Sequence, residues 1–566
     1  MRTTLTPYTV AVAGLLLGCT GVLGGPSDSK DDPSTPGAGS GQTGGNGAGT
    51  TGGGTGPVAG GLVATPRVVR LSRPQWENSV RDLLQLTDIK DITSKVTGDA
   101  LVGLDNEAEA LRIDPQLRAD MEDAATALAD KVALDPAALA RLIPSEAPAS
   151  GAERATAFLK AFGARAYRRP LTDAELSTYQ ALFAHATSVY PADDAFVAGA
   201  KLTLSAFLQS PNFLYRTELS SEVSGGRVAL SDYEVAAKLS LALASTMPDA
   251  ELFAAAAAGK LKDKTEVTKQ AQRLLASDKG GQSVDHLHFQ MYRLGAYDGI
   301  VRSTTTFPEF TPGTPSAMRD EVQKFMRFVF DQGQGVAGIF TTPVGFVNSA
   351  LAPIYGVTGN YGSELTKVDL NPAQRSGLLT LAGFLSSYAV LDDPDSIHRG
   401  VFVNQRILCR ELPPPDPKAT VLKPLDAGMT NRERVEATTG PGTCGEGCHS
   451  TIINPPGFAF ERFDAIGKYR EQDRGKPINS AASYAFAEGA KPFDGAIEFS
   501  QLLAQSPEVH ACYLQNWMGY INGHPFKAEE QATLDALTRE SLAGTLPLKD
   551  AVLRIVTAEG FLNRLP

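Results

Sequence analysis

The sequence predicts an all-α, multi-domain fold, and three observations carry that expectation. Apolar residues from Leu71 onward recur at spacings of three and four, capping-box signatures open successive runs, and strand-like alternation is scarce. At 566 residues the chain exceeds a single core, and roughly 150 residues per domain implies about three folded units. A hydrophobic fraction of 42% with 20% charged residues is that of an ordinary soluble globular protein. The formal charge of −11, with no basic run, argues against nucleic acid as a partner, because phosphate neutralisation needs clustered Lys and Arg.

Residues 1–18 read as an export signal. Arg2 precedes an apolar stretch, residues 10–17, that is too short to span a bilayer and suits a secretory signal. It ends Leu16-Leu17-Gly18-Cys19, which resembles the lipobox of bacterial lipoproteins, where cleavage falls before a cysteine that then carries the lipid. Cys19 is therefore the expected lipidation site, and Thr20 in place of Asp favours the outer membrane of a Gram-negative cell envelope, on its periplasmic side or its surface. Residues 19–62 form a flexible Gly/Ser/Thr linker whose composition cannot bury a core, a leash between membrane and folded part. Gly47, Gly49 and Gly52 match a dinucleotide fingerprint there, but no apolar strand precedes them and no helix follows, so the match is rejected.

The folded part opens with LSRPQWENSVRDLLQL, residues 71–86. Ser72 can cap, Gln75 can reciprocate, Leu71 and Trp76 take staple positions, and Trp76, Val80, Leu83 and Leu84 form one stripe. Asp114 and Pro115 open the next helix, with Leu117, Met121, Leu128 and Val132 as its buried face. Thr172 with Glu175, and Ser231 with Glu234, repeat the capping signature, and Leu548, Val552, Ile555 and Val556 close the chain in the same style. Residues 307–315 and 413–424 read as loops. Boundaries between units are expected at residues 146–153, 220–226 and 412–417.

Besides Cys19 the chain holds Cys409, Cys444, Cys448 and Cys512, and an even number in an exported protein means bridges, metal or haem. The stretch TCGEGCHS, residues 443–450, is one residue longer than the haem-attachment motif C-x-x-C-H. In that motif two thiols become thioethers on the porphyrin and the next histidine presents its imidazole to the iron. Spacing alone leaves two readings even: a haem site whose Gly445 and Gly447 let a longer loop deliver both sulfurs, or a Cys444–Cys448 disulfide with His449 an ordinary polar residue.

The run that follows, INPPGFAFERFDAIGKYR (residues 453–470), is similar to a Planctomycete and myxobacterial protein family built from the domains of unknown function DUF1587, DUF1592, DUF1595, DUF1588 and DUF1585. RLSRPQWENSVRDLLQL resembles the DUF1587 opening within residues 63–150, and FGARAYRRPLTDAEL resembles DUF1595 within 151–220. LSDYEVAAKLSLALASTMPDAEL, with SAFLQSPNFLYRTEL before it, resembles DUF1592, placed over 221–370. RSGLLTLAGFLSSYA and HRGVFVNQRILCRELPPPDP resemble DUF1588 over 371–475, and the close of the chain, ending TAEGFLNRLP, resembles DUF1585 over 476–566. Family members commonly carry C-x-x-C-H and are described as cytochrome c-like. The resemblance therefore implies a cytochrome c-like segment with a single haem c on Cys444, Cys448 and His449, His449 being the iron ligand. With haem there it also implies a Cys409–Cys512 bridge, a mixed pairing staying open, and Met518 becomes a candidate second axial ligand, with His510 and His524 as rivals. Met518 beside Trp517 reads more readily as helix core, and the two histidines more readily as surface residues.

Other constellations read as structural. His286 and His288 stand two apart and face different sides of a helix, and the acidic loop of Asp392, Asp393, Asp395 and His398 lacks EF-hand spacing. Glu461 and Asp464 can orient His449 or pair with Arg462 and Lys468; Arg168 and Arg169 read as a helix-end pair. No nucleophile elbow, H-E-x-x-H or P-loop is present. The expected protein is an exported lipoprotein held to a membrane by its lipid, carrying one c-type-like haem and serving electron transfer or a redox reaction with a protein partner. The alternative is a haem-free, disulfide-stapled envelope lipoprotein that binds a polysaccharide or a protein; an enzyme using the acidic loop is a third reading.

Overall fold

A computed structural model describes residues 62–99, 103–414, 428–443 and 445–566. The signal and lipidation site at Cys19, the linker up to residue 61, and Cys444 lie outside the described residues. The described residues fall in one unit, Pro57–Pro566, which is mostly helical and is built around two hydrophobic cores.

The first core gathers the helices Arg73–Leu84, Pro115–Ala133, Gly151–Tyr167 and Ala195–Gln209. Trp76, Val80, Leu83 and Leu84 are all buried in it, as are Leu117, Met121, Leu128 and Val132, so both expected stripes face inward. Asp114 caps its helix by accepting from the Leu117 amide at 2.8 Å. The Thr172 box is reciprocal: its Oγ1 accepts from the Glu175 amide at 3.2 Å, while Glu175 accepts from the Thr172 amide at 2.8 Å. At Ser72 both sides of the box are in place, Gln75 accepting from the Ser72 amide at 3.1 Å, but the Ser72 hydroxyl makes no cap hydrogen bond of normal geometry. Arg168 ends the helix Gly151–Tyr167 in left-handed conformation and is buried, its guanidinium donating to the Asn212, Phe213 and Tyr215 carbonyls; Arg169 pairs with Glu175.

The second core runs from Leu230 to Phe561 and includes the helices Asp232–Ala244, Asp278–Met291, Thr314–Asp331, Pro507–Asn522 and Leu548–Val556. A disulfide joins Cys409 to Cys512 on the helix Pro507–Asn522, with a Cα–Cα distance of 5.4 Å across 103 residues of chain.

The fold departs from all-α in its short antiparallel pairings. Val68–Arg70 pairs with Tyr215–Thr217, and the final Asn563–Arg564 pairs with Arg227–Ala229, so the end of the chain closes back on the start of the second core. The longest pairing is the hairpin Ala481–Phe486 with Gly489–Asp494. Its buried positions, Tyr484, Phe486 and Phe493, do alternate, but Ala and Ser between them hide the period from a reading based on large apolar residues.

Candidate functional site

The motif residues Cys448 and His449 stand on a π-helix, Glu446–Ile453, that runs into the short helix Asn454–Phe458. A π-helix closes its turns i to i+5, one residue more in each hydrogen-bonded loop than an α-helix. Glu446 to His449 lie in this π-helix, while the His449 amide donates to the Gly445 carbonyl at 2.8 Å, an α-type closure. Pro455 and Pro456 suit the first turn of the next helix, where a missing amide costs nothing.

This segment packs on the helices Ser396–Phe402 and Asn431–Thr439 and on the strand Ala481–Phe486. The approach is close enough to demand glycine on both sides. A Cβ on Gly400 would lie 1.8 Å from the Ile453 carbonyl oxygen, and one on Gly457 would lie 1.8 Å from that of Ser396. Asn404 locks the contact by donating to the carbonyls of Gly400 at 2.8 Å and Ile452 at 2.9 Å, while accepting from the Tyr484 hydroxyl at 2.6 Å.

The hub beneath is Arg399, fully buried at 0% exposure. Its guanidinium donates to five carbonyls: Leu385 at 2.8 Å, Phe460 at 3.0 Å, Tyr388 at 3.1 Å, Asp464 at 3.1 Å and Phe463 at 3.4 Å. One side chain thus ties the backbone of residues 385–388 to that of residues 460–464, which follow the motif segment. Glu461, also buried, accepts from Asn431 at 3.0 Å and from the Ser396 hydroxyl; burial pushes its carboxyl up. Asp464 accepts from the Ile466 and Lys468 amides. Neither acid reaches His449.

The residue that does orient His449 is Asn454. Thr439 Oγ1 donates to the Val435 carbonyl at 2.8 Å and so accepts from Asn454 Nδ2 at 3.0 Å. The amide is thereby turned with Oδ1 toward His449 Nδ1, 3.2 Å away. An amide oxygen only accepts, so Nδ1 carries the proton and Nε2 is left with its lone pair. Among the described residues Nε2 has no hydrogen-bond partner. His449 and Asn454 are five apart, and the Asn454 amide, which caps this π-helix, donates to the His449 carbonyl. Cys448 is an exposed free thiol. Around residue 444, Thr443 Oγ1 donates to the Gly440 carbonyl at 2.7 Å and accepts from the Gly445 amide at 3.2 Å, while Glu446 accepts from the Gly442 amide at 2.9 Å.

The other residues singled out from the sequence are placed elsewhere. Met518 is 3% exposed in the second core next to Trp517, and its helix is not among the elements that pack broadly on the motif. His510 and His524 are buried, not on the surface. His510 Nδ1 meets Ser541 Oγ at 2.7 Å and Nε2 the Ala504 carbonyl at 3.0 Å, and burial holds its pKa down; His524 Nδ1 meets the Pro525 carbonyl at 2.8 Å. His286 pairs with Asp105 at 2.8 Å and His288 with the Tyr513 hydroxyl at 3.0 Å, on different sides of their helix. In the acidic loop, Asp395 caps the helix Ser396–Phe402 and pairs with His398 at 2.6 Å, Asp393 pairs with Arg474 at 2.9 Å, and Asp392 accepts from Thr306 at 2.6 Å.

Asn454, Arg399 and Asn404 are what the sequence reading missed. The five-residue step from His449 to Asn454 signals the first only once a π-turn is known, and nothing periodic marks the other two.

Fold and site together define a helical protein that displays a cysteine–histidine motif on a π-turn braced by buried polar side chains. Five family models match in chain order: the domains of unknown function DUF1587 over residues 70–133, DUF1595 over 154–218, DUF1592 over 230–357, DUF1588 over 375–473 and DUF1585 over 489–561. The chain belongs to the protein family with this five-domain architecture. The cysteine–histidine motif and its buried braces fall within the DUF1588 segment. No curated protein and no solved structure matches the chain.

Proposed function

We propose that the protein is an exported envelope lipoprotein, anchored through Cys19, that carries one c-type-like haem on Cys444, Cys448 and His449 and serves electron transfer. The observation that carries this reading is the state of His449: Asn454 holds its Nδ1 as donor and leaves Nε2 as a free lone pair, the tautomer a metal-ligating imidazole needs. The exposed Cys448 thiol beside it fits thioether formation. Bound there, haem would supply a one-electron couple, with His449 as its protein ligand. This chain's own part is to fix the imidazole, through Asn454 and Thr439, and to hold the backbone beneath it, through Arg399 and Asn404. Among the described residues no helix is long and apolar enough to cross a membrane, so the proposed membrane attachment rests on the lipid at Cys19.

The alternative, a haem-free lipoprotein that binds a polysaccharide or a protein, draws on the Cys409–Cys512 staple. Its second bridge would join Cys448 to Cys444, which lies outside the described residues. A pyridine haemochrome spectrum on protein exported from a host with c-type haem maturation separates the two. One haem retained after denaturation and lost in Cys448→Ala is expected; absence of haem, with Cys444 bonded to Cys448 in the peptide map, overturns the reading.

A further inference from the structure

Beside the Cys409–Cys512 bridge the surface opens into a pocket of about 510 Å³, into which three arginines converge: Arg293, Arg406 and Arg410. Arg410 is already neutralised, its Nη2 lying 2.6 Å and its Nε 3.0 Å from the Glu508 carboxylate. Arg293 and Arg406 differ. Among the described residues neither guanidinium meets a carboxylate or any other hydrogen-bond acceptor, and Glu411, the carboxylate in the pocket wall, pairs with neither. Their charges act on each other: burial first, then the Arg293 charge, hold Arg406 below its ordinary value, with only the Tyr388 phenol opposing. Arg293 is exposed and Arg406 half-buried, and two like charges lining one concavity with no counterion among the described residues raise its positive potential and favour an anion there.

The backbone supports the same conclusion. Six non-glycine residues among those described adopt left-handed φ, and two of them, Arg293 at 53° and Cys409 at 51°, line this pocket. Each lies just past a helix end, that of Asp278–Met291 and that of Val403–Ile407, where a left-handed residue closes the last turn and so fixes where the chain leaves the helix at the pocket wall. The disulfide pins one wall, and Gln405 and Asn516 add amides to the rim.

We propose that this pocket binds a small organic oxyanion, a carboxylate or phosphate bridged between the Arg293 and Arg406 guanidiniums, whose planar forks match such groups bidentately. Nothing in this assignment depends on haem. The test is calorimetric titration of the full-length protein with citrate and, separately, with pyrophosphate, at ionic strength matched with sodium chloride. Saturable binding of at least one anion is expected, weakened at least tenfold by Arg293→Gln and by Arg406→Gln but not by Arg539→Gln, an exposed residue outside the pocket lining. A response to citrate alone assigns a carboxylate ligand, and a response to pyrophosphate alone a phosphate. Without anion, both pocket variants should melt at or above the wild-type temperature, because each removes a repulsion. Binding no tighter than chloride, binding that survives both substitutions, or pocket variants that melt lower without ligand would overturn the proposal.

Discussion

The first core and the motif-bearing segment are held together by different means. Around Phe207 the first core is held chiefly by apolar packing: its ring stacks on Tyr179 with centroids 3.7 Å apart and lies 5.4 Å from Phe162, and the polar atoms beside it, the Tyr167 and Tyr179 hydroxyls, bond each other at 2.6 Å. Beneath Cys448 and His449 the interior is polar, and Arg399, Asn404, Asn431, Asn454 and Glu461 satisfy one another and the backbone. Apolar contacts are non-directional and forgive modest changes of shape, whereas a buried hydrogen-bond network fixes one geometry and fails when a member is lost. A segment that must present one imidazole nitrogen in one direction is better served by the second kind of interior.

Conservative substitutions should expose that difference most strongly. Arg399→Lys keeps the charge but has three donors for five carbonyls and no planar fork, so buried carbonyls go unpaired. A loss of about 5 kcal/mol is expected, read from denaturant unfolding, together with collapse of the motif segment in hydrogen exchange. Phe207→Leu, an equally mild change in the apolar core, should cost only about 1.5 kcal/mol. Comparable losses at the two positions would break the comparison.

The second core contains a carboxyl that the polar network does not fully compensate. Glu321, on the helix Thr314–Asp331, is completely buried, and burial pushes it up to about 8 against the opposing pull of Tyr355 and Arg375. A carboxyl whose folded pKa is raised binds its proton more tightly folded than unfolded. Its folded state is therefore favoured at low pH and loses stability as pH rises from the ordinary carboxyl value of 4.5 toward about 8. Glu321→Gln should remove that slope. Relative to the variant, the wild type should lose on the order of 4 kcal/mol across the window, measured by urea unfolding at a series of pH values. Parallel pH profiles for the two proteins would show that the carboxyl is compensated after all.

The same contrast decides what could be read from the sequence. The stripes through Trp76 and Leu117 and the boxes at Thr172 and Ser231 are local patterns, so they were legible and are found in place. The hairpin Ala481–Phe486 with Gly489–Asp494 was hidden by its small residues. At the site, Cys448 and His449 announced themselves by spacing, but Arg399 and Asn454 act on partners that tertiary packing brings together, and a single arginine or asparagine in a sequence carries no such address. Glu461 and Asp464 were visible as acids near the motif, yet they turn toward Asn431 and toward a backbone turn instead of toward His449.

Even within the legible part, a motif and its energetic weight are separate matters. Ser72-x-x-Gln75 and Thr172-x-x-Glu175 carry the same capping signature in sequence. In the fold the Thr172 hydroxyl accepts from the Glu175 amide at 3.2 Å, while at Ser72 the box is in place but its hydroxyl makes no cap hydrogen bond of normal geometry. Removing a hydroxyl that satisfies an otherwise orphaned helix amide costs about 1 kcal/mol, and removing one that satisfies none costs little. Thr172→Ala should therefore lower the unfolding free energy by about 1 kcal/mol and Ser72→Ala by less than about 0.5 kcal/mol, in paired denaturant melts. If both fall equally, the signature alone sets the energy; if only Thr172→Ala does, a capping box stabilises only where its donors and acceptors actually meet.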